Sequence, residues 1–119
     1  MILTLTPNPS IDATVRLNEE LEPGAVHRAG SVSSVAGGKG VNVTHAVTLA
    51  NVDSLALLPA VASDPFLALA ADASIPVQAV PTHSAVRTNT TLTEPNGRTT
   101  KLNGPGATLD ADVQQAVAQ

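Results

Sequence analysis

A chain of 119 residues is long enough for one domain that buries roughly two thirds of its unfolded surface. Hydrophobic residues make up 43% of it but only Phe66 is aromatic, so the core must rest on Ala, Val, Leu and Ile. A net charge of −4, with Arg16, Arg28, Lys39, Arg87, Arg98 and Lys101 as the whole basic complement, excludes general nucleic-acid binding, and the lack of cysteine excludes disulfides and thiolate chemistry.

Ile2 to Thr6 reads as a buried strand ended by Pro7 and Pro9. It is too short for the apolar region of a signal peptide, and no 18-residue apolar run exists for a membrane span, so the expected compartment is the cytoplasm. Residues 12–17 alternate Ala13, Val15 and Leu17 with polar residues, as in a half-exposed strand. Glu22-Pro23-Gly24 is a turn, and residues 26–35 form another alternating stretch. Ala36-Gly37-Gly38-Lys39-Gly40 then opens a helix whose apolar face is expected to hold Val41, Ala46, Val47, Leu49 and Ala50.

Ser54 to Val61 is a continuous apolar strand, the pattern of a sheet covered on both sides. Asp64 caps a helix with Pro65 at its first position, running to about Ala73, and Pro76 to Val80 is a short strand. Residues 84–93 and 98–103 flank Glu94-Pro95-Asn96-Gly97, a strong hairpin signal because Asn-Gly tolerates positive φ. Asn103-Gly104-Pro105-Gly106 is a second turn, and Thr108 caps a final helix from about Leu109. Alternating strands and helices predict a parallel sheet with helices on its faces. The half-polar segments 12–17, 26–35, 84–93 and 98–103 predict a second, smaller sheet with one wet face.

The sharpest chemical feature is Gly37-Gly38-Lys39-Gly40-Val41-Asn42. Glycines at a helix start bare backbone amides, the helix dipole adds a positive end there, and Lys39 adds a full charge. Asn42 offers a donor and an acceptor to sugar hydroxyls. Ser33 and Gly40 stand where a Walker A loop needs a glycine and a Ser/Thr, so this is neither that loop nor a dinucleotide fingerprint, and a plain glycine-rich turn with a solvated lysine is the alternative reading. Asp12, at the exit of the first strand, is placed to accept from hydroxyls, although a turn aspartate is the plainer reading of it alone. Arg87 can grip a phosphate with two hydrogen bonds or be an ordinary cross-strand surface charge, the plainer reading for Arg98 and Lys101. His27, His45 and His83 have no metal-ligand spacing.

Leu3-Thr4-Leu5-Thr6-Pro7-Asn8-Pro9-Ser10-Ile11-Asp12 resembles the opening of 1-phosphofructokinases and tagatose-6-phosphate kinases in the ribokinase/phosphofructokinase-B family. Ala36 to Asn42 is similar to the family's first glycine-rich signature, Arg87-Thr88-Asn89 to its lid strand, and Asn103-Gly104-Pro105-Gly106 to the turn that leaves the lid. The resemblance implies a ribokinase-like three-layer α/β/α sandwich, of which this chain is the N-terminal part, with a small β-sheet lid. It implies transfer of the γ-phosphoryl group of ATP, with Mg2+, to fructose 1-phosphate. Tagatose 6-phosphate is the alternative substrate, and a non-catalytic sugar-phosphate-binding or dimerisation module the alternative of another kind.

By motif match, Asp12, Gly37, Gly38 and Asn42 would hold the sugar, Lys39 and Arg87 its phosphate, and Asn89 would be a lid contact. The family's Gly-Ala-Gly-Asp signature, which brings the aspartate base, is not in this sequence. The chain alone is therefore expected to be inactive and to bind neither ATP nor Mg2+. The resemblance also implies homodimers paired through the lid strands. Val61-Ala62-Ser63-Asp64-Pro65 stands where the family usually has a glycine-rich turn.

Overall fold

The computed structural model describes residues 1–106; the helix expected from Leu109 lies outside the described residues. Its elements run β1 (Ile2–Leu5), β2 (Ser10–Leu17), β3 (Ala29–Gly37), α1 (Lys39–Leu49), β4 (Ser54–Pro59), α2 (Pro65–Asp72), β5 (Val77–Val80), β6 (Arg87–Thr93) and β7 (Thr99–Asn103). Two sheets result. One is parallel, in the order β1-β4-β5, and the other is mixed, in the order β3-β2-β6-β7.

The parallel sheet follows from its connections. α1 carries the chain from near β1 to β4, and α2 carries it from β4 to β5, two crossovers of the kind parallel strands require. Ala56 and Leu58 of β4, both fully buried, pack with Val41 of α1 and Phe66 and Ala70 of α2, so the two helices share one face of this sheet. Asp64 starts α2: its side chain accepts from the Phe66 amide at 2.9 Å, and Pro65 fills the first helical position. Its second oxygen accepts from the Val86 amide at 2.8 Å, which ties the helix start to the approach of β6.

Three expectations change. β1 is a strand but not a buried one: Leu3 is 61% and Leu5 47% exposed, because β1 is an edge strand and only the face carrying Thr4 is covered by α1. The same asymmetry leaves Leu55 and Leu57 of β4 half-buried, so among the described residues this sheet is covered on one side, giving two of the three expected layers. In α1 the buried residues are Val41 and Thr44, while Ala46, Leu49 and Ala50 are exposed. Thr44 earns its burial through its hydroxyl, 2.7 Å from that of Thr4 and 2.9 Å from that of Ser54. Reading threonine as polar rotated the expected face away from the true one.

In the mixed sheet β2 pairs antiparallel with β3 and parallel with β6, and β6 pairs antiparallel with β7. β2 begins two residues earlier than its alternating pattern, at Ser10. β3 sits further along than the stretch 26–35, because Gly37 pairs with Ser10 and Val26 is left exposed. The β6–β7 turn forms at Glu94 to Gly97, with Gly97 at φ 88° and its amide bonded to the Glu94 carbonyl. Glu94 is buried there. It receives a two-pronged bond from Arg98, at 2.7 and 3.0 Å, and the Leu21 amide at 3.1 Å.

Candidate functional site

Where β1 ends, β2 and β6 begin and α1 starts, the two sheets enclose an open cavity of about 490 Å³. Asp12, Gly38, Lys39, Asn42, Arg87 and Asn89 all line it. They arrive by two routes. Register aligns Ser10 with Arg87 and Asp12 with Asn89 across the parallel β2–β6 pair, so strand periodicity turns all four to one face. The helix start brings Gly38, Lys39 and Asn42.

That helix start has features that suit an anion. Gly38, at φ 129° and ψ 149°, is the N-cap residue, in a backbone conformation that favours glycine. A Cβ there would also stand 2.6 Å from the Thr6 methyl. The first helical bond runs from the Asn42 amide to the Gly38 carbonyl at 2.8 Å, and no side chain caps the end. The amides of Lys39, Gly40 and Val41 therefore have no partner within the helix. No acidic residue lies in the first turn to offset the positive dipole end, and exposed Lys39 adds its charge. Arg87 supplies a second cation from β6, with a buried Nε that has no partner among the described residues.

Asp12 supplies the opposite chemistry. As a carboxylate it only accepts, so it suits hydroxyls and repels phosphate. Asn89 has a divided role: its side-chain oxygen accepts from the Gly104 amide at 3.1 Å, which leaves the side-chain NH2 group for the cavity. Gly37 is the one expected site residue that does not line the cavity. It is buried at the end of β3, and the Asp12 carboxylate occupies the space a Cβ would take. His27 is turned to its own loop, where its ring accepts from the Glu22 amide at 3.0 Å and lies 3.3 Å from Glu19. Arg98 belongs to the Glu94 clamp at the far end of the sheet.

Ser10 and Asn8 also line the cavity and were not singled out from the sequence. The signal for Ser10 was its spacing of two from Asp12, which places both on one strand face once β2 is extended back to residue 10. Among the described residues no group of three or more His, Cys, Asp or Glu side chains converges on a metal-sized site, so no metal ligand set is assigned.

Comparison with known proteins fits this geometry. The pattern of the pfkB family carbohydrate kinases matches residues 6–119. A 1-phosphofructokinase of Xanthomonas campestris pv. campestris is 40% identical over 121 residues, which cover 98% of this chain and 37% of that relative. Phosphofructokinase-2 from Escherichia coli in complex with fructose-6-phosphate superposes with a TM-score of 0.86 at 27% identity, over 98% of this chain and 39% of that one. Its tetrameric inhibited form gives 0.84 at the same identity and shares. The chain thus spans less than two fifths of the length of these relatives. With the family pattern running through almost every residue and both sheets matched, the chain belongs to the pfkB family of carbohydrate kinases and has their ribokinase-like fold.

Proposed function

We propose that this chain is the acceptor-binding part of a kinase that transfers the γ-phosphoryl group of ATP to fructose 1-phosphate, giving fructose 1,6-bisphosphate. The observation that carries the reading is the convergence of an uncapped helix N-terminus, Lys39 and Arg87 with an acceptor-only carboxylate, Asp12, on one cavity. A phosphorylated ketohexose has matching ends, an anion and a set of hydroxyls. The identity to a 1-phosphofructokinase favours the 1-phosphate. The structural relative in complex with fructose-6-phosphate makes the 6-phosphate the second reading.

In this reading Lys39, Arg87 and the α1 amides hold the phosphate already on the sugar, while Asp12 and Asn42 hold its hydroxyls. Gly37 and Gly38 shape that cradle, and Asn89 closes it from the lid sheet. Transfer between two polyanions depends mostly on positioning and charge neutralisation, and these residues provide the positioning of the acceptor. ATP and Mg2+ act in the whole protein. The 119 residues alone hold no aspartate base of the Gly-Ala-Gly-Asp type and are proposed to be inactive. Pairing of two chains through the exposed edges of β3 and β7 gives a homodimer.

Calorimetric titration of the chain with fructose 1-phosphate, fructose 6-phosphate, tagatose 6-phosphate and free fructose tests the proposal. Fructose 1-phosphate should bind tightest and free fructose at least about a hundredfold more weakly, the worth of two charge-assisted hydrogen bonds. Equal affinity for fructose and its phosphates would overturn the phosphate assignment. A clear preference for either 6-phosphate would replace the proposed substrate.

A further inference from the structure

We infer that Ser10 is a positioning residue that holds the Asp12 carboxylate in its hydroxyl-reading orientation; the inference rests on the sugar-phosphate reading above. Ser10 and Asp12 lie two residues apart on β2 and so share a face. Ser10 is only 3% exposed, and its hydroxyl donates to Asp12 Oδ1 at 2.8 Å. Asp12 Oδ2 lies against Gly37 on the facing strand, in space that a Cβ would otherwise fill. One carboxylate oxygen is therefore held by a donor and the other rests on a floor without a side chain.

The arrangement leaves the carboxylate little freedom to rotate before a ligand arrives. Without the Ser10 hydroxyl, ligand binding would have to immobilise the side chain as well. That immobilisation weakens binding by about three- to tenfold. The bond also divides the labour of the carboxylate. Oδ1 is partly used by Ser10, so the remaining carboxylate lone pairs are left for the sugar hydroxyls, while the phosphate is left to Lys39, Arg87 and the helix amides.

The test compares the full chain with Ser10→Ala, Asp12→Ala and the double variant, titrated with fructose 1-phosphate and separately with inorganic phosphate. Ser10→Ala should weaken fructose 1-phosphate about three- to tenfold and leave inorganic phosphate within about twofold. In the Asp12→Ala background it should change nothing further, because the group it positions is gone. Ser10→Cys, which keeps the size of the side chain but donates only weakly, should show the same selective loss in smaller measure, a second route if Ser10→Ala folds poorly. Unchanged sugar-phosphate affinity in Ser10→Ala, or a loss that persists without the Asp12 carboxylate, would overturn the role of Ser10 while the functional reading stands. Failure of the parent chain to bind fructose 1-phosphate would instead remove that reading, and this inference with it.

Discussion

Replacing Asp64 with alanine removes two acceptors at once. Its Oδ1 caps α2 through the Phe66 amide at 2.9 Å, and its Oδ2 takes the Val86 amide at 2.8 Å, on a residue only 7% exposed. Loss of an N-cap costs about 1 kcal/mol, and a buried amide left without a partner costs roughly 1–3 kcal/mol more. Asp64→Ala should therefore destabilise the chain by about 2–4 kcal/mol. Asp64→Asn keeps one oxygen but turns an NH2 group toward the other amide, so it should recover about half of that loss. The chain has no Trp or Tyr, so urea unfolding is best followed by far-ultraviolet circular dichroism. If alanine costs less than about 1 kcal/mol, or asparagine matches the parent, the two-amide account of Asp64 is wrong.

Lys39→Ala and Arg87→Ala should each weaken fructose 1-phosphate about ten- to a hundredfold with little change in unfolding midpoint; unchanged affinity in calorimetry would remove that residue from the phosphate site. Glu94 is held below the ordinary carboxylate value of 4.5, chiefly by the hydrogen bonds from Arg98 and also by the Leu21 amide, against an opposing push from burial. A depressed folded value means its contribution is present above pH 4.5 and is lost as pH falls below it. Melting temperature should thus fall more steeply on acidification in the parent than in Glu94→Gln, and parallel curves would refute the clamp. Thr44→Val keeps the shape but strands the hydroxyls of Thr4 and Ser54, so it should cost about 1–3 kcal/mol in the same urea assay. A neutral result would mean those hydroxyls have other partners.

The features legible in the sequence were those set by neighbours in the chain. Asp64-Pro65 announces a helix start and Asn96-Gly97 a hairpin, because capping and turn chemistry act within a few residues. Lys39 and Arg87 stood out because so few cations compete with them. Features set by distant partners were hidden. Thr44 is a core residue only because Thr4 and Ser54 offer hydroxyls from two different strands. The true extent of β2 and β3 depends on the pairing of Ser10 with Gly37, which hydropathy does not encode. Gly37 was expected at the sugar from its motif, but the sequence does not show that the Asp12 carboxylate stands where its Cβ would be, which keeps Gly37 itself out of the cavity lining.

The parallel pairing of β2 with β6 has a kinetic consequence. Its partners lie far apart in the chain, with β3, α1, β4, α2 and β5 between them, so closing that loop is expected to be slow. A slip of one residue would put Asp12 and Asn89 on opposite faces of the sheet, so a misregistered pairing would not offer the cavity. The ligand is therefore expected to bind only the finished register. A sugar phosphate added during refolding should leave the folding rate unchanged and act entirely on the unfolding rate, which it lowers.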